Sequence, residues 1–246
     1  ETLRELDTQF SDTAGNAYLN QPELFILITG RTRKTKAGAE PGLKRPLQAA
    51  GLKLAFALLE EPPLVRANYR TMAKAANVGL GTVGEILKNL QAHGFLEAEG
   101  KERHLIDRER LQQYWAEHYP DGLRKQQYLG TFTTDKPEAL QTLTIENFGA
   151  TWGGEFAAAA YTHYLTPRDA IVYLPEAMLP AFMQEARMRR IRAGEAPTLR
   201  IEGYEPFWPE DRAKLAPPLV TYADLLATGD VRNLEAAEKL YAKFLG

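Results

Sequence analysis

The chain has 246 residues, 44% hydrophobic and 25% charged, the composition of a folded globular protein long enough for two domains. It contains no cysteine, which excludes disulfides, thiolate catalysis and cysteine-based zinc sites, and no apolar run approaches the roughly 20 residues of a membrane span. Lys and Arg number 30 against 32 Asp and Glu, a net charge of −2, so any affinity for nucleic acid must come from where the charges lie.

Residues 1–30 read as a short helix and a strand pair, 10 to 18 and 24 to 28, with turn-like runs at 12–16 and 20–22. So small a strand pair is marginal alone. It must either dock on the rest of the chain or be the remainder of a truncated domain, with Glu1 not a native start; no signal-peptide pattern is visible. Asp12 and Glu23 are placed like the acids of a two-carboxylate Mg²⁺ nuclease site, but Phe25 stands where such a site wants a lysine. No catalytic or metal-binding residue is expected there.

Residues 31–45 form a linker rich in Gly and Pro. From position 31 to 53 the chain carries Arg31, Arg33, Lys34, Lys36, Lys44, Arg45 and Lys53 against only Glu40. The run is either a solvated linker or a basic arm for phosphates or the minor groove.

An apolar helix follows, with Leu52, Leu54, Ala55, Phe56, Leu58 and Leu59. Asn68 is placed to cap a second helix, striped by Met72, Ala73 and Ala76 and broken at Asn77-Val78-Gly79. A third runs from about Leu80 to Ala92, with Val83, Ile86, Leu87 and Leu90 on one face and Gly94 as its stop. Residues 95–106 read as a hairpin turning at Gly100. Helix, helix, recognition helix and wing form the pattern of a winged helix-turn-helix, whose recognition helix enters the major groove. Asp107 is placed to cap a further helix over 108–118, stopped by the run 119–122, and 126–133 looks extended. The winged-helix domain is therefore set at 46–134.

The remainder, 135–246, alternates helix and strand as a C-terminal α+β domain. Helices are expected at 138–148, 155–165, 176–191, 218–227 and 233–245, and strands at 170–174 and 198–202. The pair Gly153-Gly154 reads as close packing or an anion cradle. Tyr204, Phe207 and Trp208 read as a core corner or a partner anchor. The run Arg187, Arg189, Arg190, Arg192 reads as a solvated helix face or a second phosphate contact. The four histidines have no metal-binding spacing, and neither GxxxxGK[ST] nor GxSxG occurs.

The runs 12–19, 80–84 through 94–95, 151–155 and 216–230 resemble the AbiEi-type antitoxins, the DNA-binding halves of bacterial type IV toxin–antitoxin systems related to abortive phage infection. The most specific are Asp-x-Ala-Gly-Asn-Ala from Asp12 and Pro-Pro-Leu-x-x-Tyr-Ala-Asp-Leu-Leu-Ala-x-Gly-Asp from Pro217. The resemblance covers nearly the whole chain and implies that residues 1–30 are the remnant of an N-terminal α/β domain of degenerate, nuclease-like form. It implies a cytoplasmic bacterial regulator that binds its own promoter. It also implies a nucleotidyltransferase-type toxin, neutralised indirectly rather than by tight binding.

The expectation is thus an α+β protein that binds double-stranded DNA, without cofactor or catalysis and with a homodimer as its assembly. Base readout is assigned to Thr82, Val83, Glu85, Lys88 and Asn89. Phosphate contact is assigned to Arg70, Lys74, Gly81, Lys101 and Arg103, with Arg31, Arg33, Lys34 and Lys36 as a looser arm. The alternative is a nuclease or nucleic-acid-modifying enzyme whose winged helix delivers DNA to a missing or degenerate N-terminal domain.

Overall fold

A computed structural model describes residues 10–11, 17–21, 24–28, 46–99, 102–192, 194–209 and 214–246. The chain divides into two compact units, Glu1–Leu43 and Lys44–Gly246. In the first, β1 (Phe10–Ser11), β2 (Ala17–Gln21) and β3 (Leu24–Ile28) make an antiparallel sheet in that order. The first expected strand, 10 to 18, is thus two strands that pair with each other, Phe10 opposite Tyr18.

The second unit opens with α1 (Ala49–Glu60), a single turn of 3₁₀ helix at Pro62–Arg66, α2 (Tyr69–Ala75) and α3 (Leu80–Ala92). Asn68 caps α2 as expected, its Oδ1 accepting from Thr71 N at 3.0 Å. Leu52, Met72, Val83 and Leu90 meet beneath the three helices, each fully buried. Side chains of this size contribute about 1.5–3 kcal/mol each when removed from water. The hairpin β4 (Leu96–Glu99) and β5 (Glu102–Leu105) pairs Leu96 with Leu105 and turns Leu96 inward.

Helix α4 (Arg108–Gly122), capped by Asp107, runs through Pro120 instead of stopping before it. Proline's fixed φ is itself helical, and burial of Trp115 and Tyr119 holds the last turns. There follow β6 (Tyr128–Thr134), α5 (Pro137–Thr142), β7 (Thr151–Gly153), α6 (Gly154–Thr162) and β8 (Ala170–Tyr173). Then come α7 (Leu179–Glu185), β9 (Met188–Arg190), β10 (Ile201–Tyr204), α8 (Pro218–Thr228) and α9 (Val231–Phe244).

The five strands form one mixed sheet in the order β7-β8-β10-β6-β9, with β8 and β10 parallel and the other neighbours antiparallel. Alternation along β8 divides the core. Ala170 and Val172 face a cluster with Phe132, Leu179, Phe182 and Ile201. Ile171 and Tyr173 face the cluster that continues through Tyr119, Trp115 and Phe56 into α1. One core therefore passes across position 134, where a domain boundary was expected, and β6 belongs to the mixed sheet.

Two expectations on this half are corrected. The helix over 138–148 is α5 followed by a 3₁₀ turn at Ile145–Phe148. The helix over 176–191 ends at Glu185, and Met188–Arg190 is a strand paired with β6. The arginine run is consequently no helix face. Arg189 holds Glu195 through both terminal nitrogens, at 2.9 and 2.6 Å, and Arg190 lies over the Phe132 ring.

A buried polar cluster joins the layers. Asp224 of α8 is wholly buried and accepts from Tyr173 Oη at 2.8 Å and from Gly154 N at 3.2 Å. The Tyr173 proton being committed there, Tyr119 donates to Tyr173 across 3.0 Å. Arg124, which follows α4, lies 3.6 Å from Asp224 and donates to Glu202 of β10 at 3.0 Å. Gly153 and Gly154 are close packing: a Cβ on Gly153 would stand 2.5 Å from the Tyr173 ring and 2.9 Å from Asp224 Oδ2.

Burial pushes the Asp224 carboxyl up to about 6, against the pull of Arg124, Tyr173 and Gly154. The folded chain thus holds this proton more tightly than the unfolded chain does. Its contribution to stability is complete below the unfolded value near 3.9 and is lost as pH rises through about 6. Between pH 4 and pH 7 the parent should therefore lose up to about 3 kcal/mol of unfolding free energy relative to Asp224→Asn. Urea unfolding of both proteins at the two pH values measures this; parallel pH profiles would refute it.

Candidate nucleic-acid interface

Helix α3 has two faces. Val83, Ile86, Leu87 and Leu90 are buried, while Gly81, Thr82, Glu85 and Lys88 are exposed and Asn89 is half-buried. Val83 was assigned both to the apolar stripe and to base readout. Its side chain is fully buried and cannot reach a base. Thr82 Oγ1 donates to Gly79 O at 2.7 Å, which commits its proton and leaves an acceptor and a methyl group outward. Glu85 and Lys88 pair at 2.8 Å, and this hydrogen bond holds the Lys88 ammonium above its ordinary pKa.

Free cations lie on α2 instead. Arg70 and Lys74 are exposed and make no ion pair or side-chain hydrogen bond among the described residues. Two exposed apolar side chains, missed in the sequence, flank the same region: Leu80 is 50% exposed at the start of α3 and Tyr69 is 44% exposed at the start of α2. Their positions beside the Gly79 and Asn68 caps carried the signal, since the first turn of a helix has fewer neighbours to bury a side chain.

Arg103 was assigned to phosphate. Its Nε donates to Val65 O at 2.9 Å and its Nη2 to Ala67 O at 2.6 Å, with the guanidinium 5.3 Å from the Tyr69 ring centroid. The side chain is half-buried and fastens β5 to the segment before α2. Glu97, Glu99 and Glu102 of the hairpin are exposed acids, alongside the exposed Ala98 and His104. Lys101, Arg31, Arg33, Lys34 and Lys36 lie outside the described residues, as do Asp12 and Glu23.

Elsewhere, Phe207 and Trp208 are core. Phe207 packs on Phe56, Trp115 and Tyr119, and Trp208 on Tyr173. Among the described residues no three His, Asp or Glu side chains gather as a metal site, and no helix is long and apolar enough to cross a membrane.

A polar helix face beside unpaired cations thus stands on a mixed α+β scaffold. The sequence profile of the family described as "Transcriptional regulator, AbiEi antitoxin, Type IV TA system" matches residues 104–246. The chain belongs to that family of type IV toxin–antitoxin regulators. The matched segment begins within β5 and takes in α4 and the whole mixed-sheet half, leaving α1–α3 outside it. No curated protein and no solved structure matches the chain.

Two arginine roles separate cleanly. Arg103→Ala removes two charge-assisted hydrogen bonds to backbone carbonyls and should lower unfolding free energy by about 1.5–3 kcal/mol. Arg70→Ala should change it by less than about 0.5 kcal/mol. Equal effects in urea unfolding would mean that the hairpin is not held by Arg103.

Proposed function

We propose that α1–α3 and the β4–β5 hairpin form a winged helix-turn-helix that binds double-stranded DNA, and that the protein represses its own promoter as the antitoxin of a type IV system. The observation that carries the reading is the exposed strip of α3, which takes no part in packing and lies beside the unpaired Arg70 and Lys74. Thr82, Glu85, Lys88 and Asn89 read base edges, Glu85 and Lys88 after exchanging their mutual ion pair for base contacts. The Thr82 acceptor suits the amino group of adenine or cytosine, and its methyl or Leu80 suits a thymine methyl. Arg70, Lys74 and the backbone at Gly81 hold phosphates, with Lys101 and the basic arm from Arg31 to Lys36 in support. The hairpin braces α2 through Arg103.

The family membership supports the antitoxin role. The toxin is a nucleotidyltransferase-type enzyme countered functionally rather than by tight binding. The regulator acts in the bacterial cytoplasm, as a homodimer and without catalysis of its own.

Gel-shift titration of the chain on its own promoter and on unrelated DNA tests the docking. Arg70→Ala with Lys74→Ala should weaken binding to both DNAs alike and reduce the salt slope by about 2. Thr82→Ala should narrow the gap between them by about 1–3 kcal/mol. If the α2 pair altered sequence preference while Thr82 altered nothing, α3 would not be the reading helix.

A further inference from the structure

Tyr69, the first residue of α2, is left 44% exposed, yet its ring is held by two neighbours. The Arg103 guanidinium lies 5.3 Å from the ring centroid, and is itself fastened to Val65 O and Ala67 O. The ring edge lies against α3 at Gly84, where a Cβ would stand 3.4 Å from Cε2. After the hydrogen bond and charge of Glu85, Tyr69 also helps to hold the Lys88 ammonium above its ordinary pKa, so the phenol stands within electrostatic reach of the outward face of α3. Its hydroxyl makes no hydrogen bond among the described residues. A hydroxyl without a protein partner faces water or a ligand, since a buried one would be left unsatisfied. A side chain already held in place is ordered at little further cost when a partner meets it.

In a helix-turn-helix the first helix crosses the nucleic-acid backbone while the second enters the groove. Tyr69 belongs to both: it precedes Arg70 on α2 and touches α3 at Gly84, one turn before Lys88. We propose that the Tyr69 hydroxyl donates a hydrogen bond to a phosphate oxygen at the edge of the groove that α3 enters. The contact rests on the DNA reading above and adds to it a residue that carries no charge. Tyrosine hydroxyls are among the side chains that bind phosphates, and such contacts set register without reading sequence. A neutral donor strengthens binding without releasing a counterion, unlike the neighbouring Arg70.

Fluorescence-anisotropy titration of the full chain on its own promoter and on unrelated DNA, at several salt concentrations, tests the contact. Tyr69→Phe keeps the ring on Gly84 and Arg103 and removes only the hydroxyl. It should weaken binding to both DNAs alike, by about tenfold, with the salt slope unchanged and circular dichroism like the parent's. Arg70→Ala in the same assay should reduce the slope by about 1. Equal affinities of the parent and Tyr69→Phe would overturn the contact while the DNA reading stands. A loss confined to the promoter would make the acceptor a base and refute the phosphate assignment. A parent that binds neither DNA would overturn the DNA reading itself, and this contact with it.

Discussion

The fully buried carboxylate of Asp224 constrains the architecture more than any apolar contact. A charge with no access to water must find its hydrogen bonds and counter-ion inside the protein, and these are directional. Here they arrive from Tyr173 on β8, Gly154 at the start of α6 and Arg124 after α4, all distant in sequence. Leucines on α8 would tolerate a sliding of helix on sheet, whereas the carboxylate accepts one placement. The tight approach at Gly153 and Gly154 follows from the same requirement, because the donor N–H must come within reach of Asp224.

That placement reaches the surface through α4. The helix starts at Asp107, directly after the hairpin, and its far end delivers Tyr119 into the polar cluster. Near its start, Arg110 donates to the carbonyls of His93 and Gly94, where α3 ends. Trp115, midway, donates to Leu52 O of α1 at 2.8 Å. One helix thus sets the end of α3, the middle of α1 and the edge of the mixed sheet against one another. The orientation of the exposed α3 face is fixed from the buried side.

Most of the helical half was legible because helix periodicity and capping are local. The stripe Val83, Ile86, Leu87, Leu90 and the caps Asn68 and Asp107 stand at their expected positions. Strand β9 was not legible: three residues are too few to show alternation, and its pairing with β6 is a tertiary fact. The backbone contacts of Arg103 were hidden for a related reason. A cation in a hairpin looks the same in sequence whether it points to solvent or bonds to carbonyls of a segment some 38 residues away. The motif from Pro217 to Asp230 was visible as a resemblance, but its meaning needed the fold. Asp224 is the buried carboxylate, Gly229 closes α8 in a left-handed conformation, and Asp230 caps α9 by accepting from Arg232 N and Asn233 N.

The positions that specify the fold are therefore separate from the exposed Thr82, Glu85 and Lys88 of α3. Changing Tyr119, Tyr173, Asp224 or Gly153 alters buried, directional contacts and bears on every layer at once. Changing Thr82, Glu85 or Lys88 touches no buried contact: among the described residues their side-chain hydrogen bonds are within α3 or to its cap. The family profile accordingly matches the half that holds the cluster, and α3 lies outside it. A scaffold of this kind can keep its packing while the outward face of α3 is rewritten residue by residue.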